Sequence, residues 1–302
     1  MLKRIYNAWD YTHSMKMKPR CMPCLLNRVL YEAELANASQ EKQEEVVKKA
    51  AEKLLEEYTK GKSSAQIATV VHKMAYDLLG EKDPYKELKI KSNEIAKKLI
   101  PKVEDFIKKS RDKLEAAILC SIVGNSIDFG IAGSASSPEE LYKKFDGEIG
   151  KGIGYNDLEK VKKHLNGNIL YFTDNCGEVV FDKLVCRELK KYNVNLTLVV
   201  KGVPILTDAT YEDALSLSFN EVVDEILTTG TFAVGVDFDA MPADLEKKLQ
   251  KANLIICKGM ANYEAFSETN YKPIAYFLKV KCKSIAEDMN LPLGINAIKL
   301  YE

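Results

Sequence analysis

The run Asp174-Asn175-Cys176-Gly177-Glu178 follows the short apolar segment NILYFT, and Asp208 closes the stretch KGVPILTD after the segment NLTLVV. Asp174, Asn175 and Asp208 form an oxygen-only donor set, the kind that takes Mg²⁺ or Mn²⁺. Gly177 is expected to open the next helix, whose free N–H groups and positive dipole end favour a phosphate oxygen. Lys258 and Lys281 each follow a further apolar run and would add point charges to the same anion. Cys176 raises the alternative of a thiolate nucleophile. His13, His72 and His164 all fall outside these segments, so a Cys–His pairing is the weaker reading. Glu178 could orient a water, although its place at a helix start suits a dipole cap somewhat better.

These residues need a scaffold, and the second half of the chain supplies its pattern. Short apolar runs (NILYFT, NLTLVV, EILTTG, NLIICK, PIAYFL) alternate with amphipathic stretches (VVFDKLVCRELKKY, DATYEDALSLS, PADLEKKLQKA). Such alternation predicts an α/β sandwich with a largely parallel or mixed sheet. In open sheets of this kind, ligands bind beyond the carboxyl ends of the strands. Acids, glycines and lysines recur after these runs. Any one could be ordinary loop composition, but their repetition at one sheet edge favours a site.

The first part reads as helices. Pro23 can open one over LLNRVLYEAELA, Ser39 caps QEKQEEVVKKAAEKLLEEYTK, and Ser64 starts a third that ends at Gly80. Asp83-Pro84 opens a fourth, which Pro101 is expected to kink or restart. A helical N-terminal domain over 1–120 and an α/β domain over 121–302 are the expected division.

Lys plus Arg and Asp plus Glu both number 44, so there is no basic excess to favour nucleic acid as the partner. With 46% hydrophobic and 29% charged residues, the chain reads as an ordinary globular protein. No run reaches the roughly 18 apolar residues of a membrane span, and MLKRIYNAWDYTHS lacks the apolar core of a signal peptide. Seven cysteines, an odd number mostly inside apolar runs, suit a reducing compartment, so a cytoplasmic location is expected. Cys21 and Cys24 form a CxxC with no second CxxC and no HxxxH, which ranks a reduced structural pair above a zinc half-site. In GNSIDFG, Asn125 and Asp128 are three apart and would share a face on a helical turn.

Together, GNSIDFG, DNCGE, KGVPILTDAT, KGMANYE and the late LKVKC resemble the damage-control phosphatase family, and the CxxC resembles its subfamily common in archaea. The resemblance runs from Lys18 almost to the C-terminus. It implies a Rossmann-like α/β domain behind a helical domain, and hydrolysis of phosphometabolites such as sugar phosphates or related monoesters. It also implies a divalent cation (Mn²⁺, Mg²⁺, Co²⁺ or Ni²⁺). By motif position it carries metal binding to Asp174, Asn175 and Asp208. Substrate contacts pass to Asn125, Asp128, Lys258, Gly259, Asn262 and Lys281. The sugar-phosphate subfamily has an acid where Met260 stands and an Arg-Thr pair where Leu278 and Lys279 stand. Two other classes remain as alternatives. A carboxyl methyltransferase is one, although no GxGxxG follows the first strand. A non-catalytic, metal-stabilised binding module is the other.

Overall fold

A computed structural model describes residues 16–58, 62–125 and 138–302. Three helices come first: α1 (Cys21–Leu35), α2 (Gln40–Glu57) and α3 (Ser64–Leu79). Pro23 falls in the first turn of α1, where its missing N–H costs nothing. Ser39 caps α2 through the Lys42 N–H. The cap of α3 is Ser63, one residue before the expected start, in a reciprocal box with Gln66, and Gly80 ends the helix in the left-handed conformation. Val29, Val46, Leu54, Ile67 and Val71 close a small core among these helices.

Helix α4 (Lys86–Lys109) runs through Pro101 without the expected restart, and α5 (Lys113–Gly124) follows. Every residue of α5 from Ala116 to Gly124 is buried, the signature of a helix packed on all sides. The expected division at residue 120 falls inside this helix, whose residues share one core with the sheet.

The remaining elements are α6 (Pro138–Ile149), β1 (Tyr155–Asn156), α7 (Leu158–Lys163), β2 (Asn168–Phe172), α8 (Val179–Leu189) and β3 (Asn195–Val200). Then come α9 (Tyr211–Ser216), β4 (Glu225–Thr228), α10 (Ala243–Gln250), β5 (Leu254–Lys258) and α11 (Gly259–Phe266). The last are β6 (Ile274–Lys279), α12 (Lys283–Met289) and β7 (Asn296–Tyr301). The sheet order is β1-β7-β6-β5-β2-β3-β4. All pairs are parallel except β6 with β7. The expected α/β class with a mostly parallel sheet is what the chain adopts.

Alternating residues of β2 serve the two faces of the sheet. Ile169 and Tyr171 join the core shared with α4, α5 and α8, whereas Leu170 and Phe172 join the core under α10, α11 and α12. Burial on both faces explains why these strands read as unbroken apolar runs. The chain leaves β2 for β3 and β4 on one side, then returns to β5 on the other. The carboxyl ends of β2 and β5 therefore flank the switch point, the place where open sheets of this kind bind their ligands. Among the described residues, no helix is long and apolar enough to cross a membrane.

Candidate active site

Two loops beyond adjacent strands are laced together by backbone hydrogen bonds. The Ala209 N–H donates to the Asp174 carbonyl at 2.8 Å, and the Cys176 N–H donates to the Thr207 carbonyl at 2.7 Å. Asn175 and Asp208 face each other in an isolated antiparallel bridge. The three expected metal ligands thus come together at the ends of β2 and β3. Asp174 Oδ2 accepts from Asn125 Nδ2 and Asn175 Nδ2, both at 2.8 Å. Asn175 Oδ1 accepts from the Thr207 hydroxyl at 2.5 Å.

Both carboxylates are buried and close enough to repel. Burial, followed by the charge of Asp208, pushes Asp174 up to about 7. Burial raises Asp208 as well, against the pull of Lys201. Glu178 is fully buried; its Oε1 accepts from the Asn175 N–H at 3.0 Å, so it holds the ligand loop from behind. Its Oε2 has no hydrogen-bond partner among the described residues. Burial, with Asp174 and Asp182 adding to it, pushes Glu178 up to about 8 despite Lys258.

This donor set fits a hard divalent cation. Two carboxylates and an amide leave positions for water and substrate, as Mg²⁺-type sites do. Burial raises the pKa of each of these carboxyls and leaves one Glu178 oxygen without a partner among the described residues, and a cation beside such a cluster would favour the ionised forms. Among the described residues, no three His, Cys, Asp or Glu side chains converge as a closed metal cage.

Gly259 sits at φ +72°, and a Cβ there would lie 1.8 Å from Asp174 Oδ2. Only glycine leaves room for this carboxylate, which explains the residue at that place in KGMANYE. Asn262 donates Nδ2 to the carbonyls of Thr173 and Lys258 at 2.9 and 2.8 Å, and so ties α11 to the end of β2. Lys281, between β6 and α12, donates to the carbonyl and, at 2.5 Å, to Oδ1 of Asn125. Desolvation by its neighbours lowers its pKa, against the attraction of Glu178 and Asp174.

Two expected anion contacts are otherwise engaged. The Gly177 N–H donates to Asn93 Oδ1 of α4 at 2.7 Å, so it is not a free helix-terminal donor. Lys258 Nζ lies 2.9 Å from Asp182 Oδ1 and 3.8 Å from Glu178 Oε1. Burial alone would depress this ammonium, but the two acids hold it above its ordinary value. Asp182 also accepts from Tyr171 at 2.8 Å and Ser121 at 2.5 Å. Asp128 lies outside the described residues.

The Cys176 thiol is buried, and burial together with Asp213 drives it well above the ordinary thiol range. That environment disfavours a thiolate. Cys21 and Cys24 are free thiols, half-buried and exposed respectively.

The sequence reading left out Asp182, Asn93 and Glu264 and gave Lys201 no role. Asp182 had one signal: it is four residues after Glu178, on the same helical face and inside an apolar pattern. Glu264 of α11 carries a carboxyl pushed up to about 7 by burial and by Asp174, against a hydrogen bond from Ser64.

A model of the damage-control phosphatase ARMT1-like domain matches residues 17–295. A damage-control phosphatase of Archaeoglobus fulgidus is 38% identical over 288 residues, which cover 95% of this chain and 100% of the relative. A damage-control phosphatase of Pyrococcus horikoshii is 32% identical over 284 residues, covering 93% of this chain and 96% of that one. The crystal structure of a DUF89 family protein from Pyrococcus horikoshii superposes with a TM-score of 0.87 at 29% identity, over 95% of this chain and 100% of the other.

Proposed function

The chain belongs to the damage-control phosphatase ARMT1-like family and is a phosphatase, and we propose that it hydrolyses phosphate monoesters of small metabolites with a divalent cation held by Asp174, Asn175 and Asp208. The observation that supports this reading is the lacing of the β2 and β3 loops, which brings the backbones of Asp174, Asn175 and Asp208 side by side at the carboxyl ends of these strands. A cation there would supply charge neutralisation on a phosphate oxygen and polarise the phosphorus centre.

The protein's own groups do the rest. Asn125 orients Asp174, and Lys281 reaches the same asparagine. An ammonium at that place would stabilise the equatorial phosphate oxygens that the cation does not reach. Glu178 fixes the backbone of Asn175, and with its raised pKa it can hold a proton on Oε2 near neutral pH. Lys258 balances the charge of Asp182 beneath the site.

Oxygen donors alone suit Mn²⁺ or Mg²⁺ first, with Co²⁺ and Ni²⁺ as the family's further options. The carboxyl methyltransferase reading is not favoured: the relatives are named phosphatases, and DNCGE stands where a glycine-rich nucleotide loop would follow β2.

The test is phosphate release from a panel of phosphate monoesters by metal-stripped protein, with each of the four cations restored in turn. Turnover is expected only with cation, and Asp208→Ala should abolish it while the protein stays folded. Full turnover by stripped protein, or by that variant, would overturn the assignment.

A further inference from the structure

Lys201 directly follows β3, and the residue is buried at 4% exposure. Three acceptors surround it: the Ala233 carbonyl at 3.1 Å, the Gly235 carbonyl, and Asp208 Oδ2 at 3.3 Å. An ammonium has three N–H donors. Two are therefore spent on main-chain carbonyls, and the charge pairs with Asp208. That separates Lys201 from Lys281, which is exposed.

Its backbone serves the same loop. The Lys201 N–H donates to the Ala209 carbonyl at 2.9 Å, and Lys201 pairs with Thr210 in an isolated parallel bridge. The loop from 201 to 210 is closed at its base by the main chain of Lys201 and gripped at Asp208 by its side chain. The two carbonyls belong to a separate segment, which α3 and α11 hold in place. The Val234 N–H donates to Thr69 Oγ1 at 2.9 Å, and Gly235 packs so closely on α11 that a Cβ would meet Ala265 at 2.5 Å. The ammonium is thus fixed from a wall that does not include Asp208.

We infer that Lys201 is a positioning residue for the cation site: anchored on the Ala233 and Gly235 carbonyls, it engages one oxygen of Asp208 and leaves the other turned to the site at a fixed angle. This rests on the reading of Asp208 as a cation ligand. Charge alone would make an ammonium next to a ligand carboxylate unfavourable for a cation. Its benefit is orientation: a buried carboxylate without such a partner would be free to rotate. Groups that orient metal ligands typically cost about 10–100-fold in metal affinity when removed.

The experiment is calorimetric titration of metal-stripped, full-length protein with MnCl₂ in the absence of substrate. Lys201→Met should weaken Mn²⁺ binding about 10–100-fold. Lys201→Arg, which keeps the charge and the donors, should recover part of the loss. Should the methionine variant fail to fold, Lys201→Gln carries the same expectation of weakened binding. Unchanged or tighter Mn²⁺ binding in the lysine variants, with Asp208→Asn weakened as expected, would overturn the positioning role alone. A parent that binds no Mn²⁺, or an Asp208→Asn variant equal to it, would remove the cation reading and this inference with it.

Discussion

Cys176 lies between a candidate metal ligand and the glycine that precedes α8, a place where a nucleophile would be well aimed. Its surroundings decide otherwise. The thiol is buried, faces Asp213, and is held well above its ordinary range, so at neutral pH it carries its proton. Cys176→Ser is therefore expected to retain most phosphatase activity, read as phosphate release under saturating cation; an inactive but metal-binding serine variant would restore the nucleophile. Lys281 is the opposite case. It is an exposed residue, it touches Asn125, and its ammonium is not neutralised by a carboxylate at hydrogen-bonding distance among the described residues. A charge-assisted contact of this kind contributes roughly 1.5–3 kcal/mol. Lys281→Ala should lower turnover of phosphate esters by about one to two orders of magnitude and relieve inhibition by inorganic phosphate, with Mn²⁺ affinity little changed. Turnover and phosphate inhibition equal to the parent would reduce Lys281 to a structural tether of Asn125.

Helix α5 meets the start of α8 at a contact that only glycine permits. A Cβ at Gly124 would lie 2.7 Å from the Phe181 ring and 3.1 Å from the Glu178 Cα. Gly124→Ala should push the two helices apart and destabilise the fold by about 1–3 kcal/mol, measured as a lower denaturant midpoint. Asn125 is the next residue, so the same variant should also lose turnover; an unchanged midpoint would show that the helices slide without strain. Contacts of this kind mark the limit of sequence reading. Strands β2, β3, β5 and β6 were visible because burial on both faces makes each an apolar run. Strand β7 was not, because NAIKLY becomes partly exposed from Lys299 onward and carries no turn signal of its own. Asp174, Asn175 and Asp208 were legible from the rule that loops after strands carry sites. The engagement of Lys258 was not, since its partner Asp182 gains meaning only when Tyr171, Ser121 and Lys258 arrive from three other elements. Nor could the capture of the Gly177 N–H by Asn93 be read, because its acceptor is 84 residues away.

At the scale of the molecule, a cluster of buried acids sets how stability responds to pH. Asp174 is held up to about 7 from 3.8, and Glu178 up to about 8 from 4.5. The folded protein keeps these protons at pH values where the unfolded chain has lost them. Its stability should therefore fall as pH rises from about 4 to about 8, through the interval between unfolded and folded values. A cation held by Asp174 and Asp208 requires them ionised, so it should restore stability at the upper end of that interval. Thermal melts of stripped protein with and without MnCl₂ would show a cation-induced rise in Tm that grows from pH 5 to pH 8; a rise independent of pH would contradict the linkage.

The sheet order has a consequence for how the enzyme emerges from the ribosome. Strands β2 and β3 are neighbours in sequence and in the sheet, so the loops bearing Asp174 and Asp208 can be laced as soon as residue 210 or so is free. Strand β5, which supplies Lys258 and Gly259, pairs with the other edge of β2 and arrives some forty residues later, and Lys281 later still. Segments leave the ribosome in chain order, although a domain generally folds as a unit. The nascent chain therefore completes its acidic half before the cationic half exists, and for that interval β2 presents an unpaired edge to its surroundings. Translation through residues 210 to 258 is the stretch in which a pause, or a chaperone guarding that edge, would matter most to the yield of active protein.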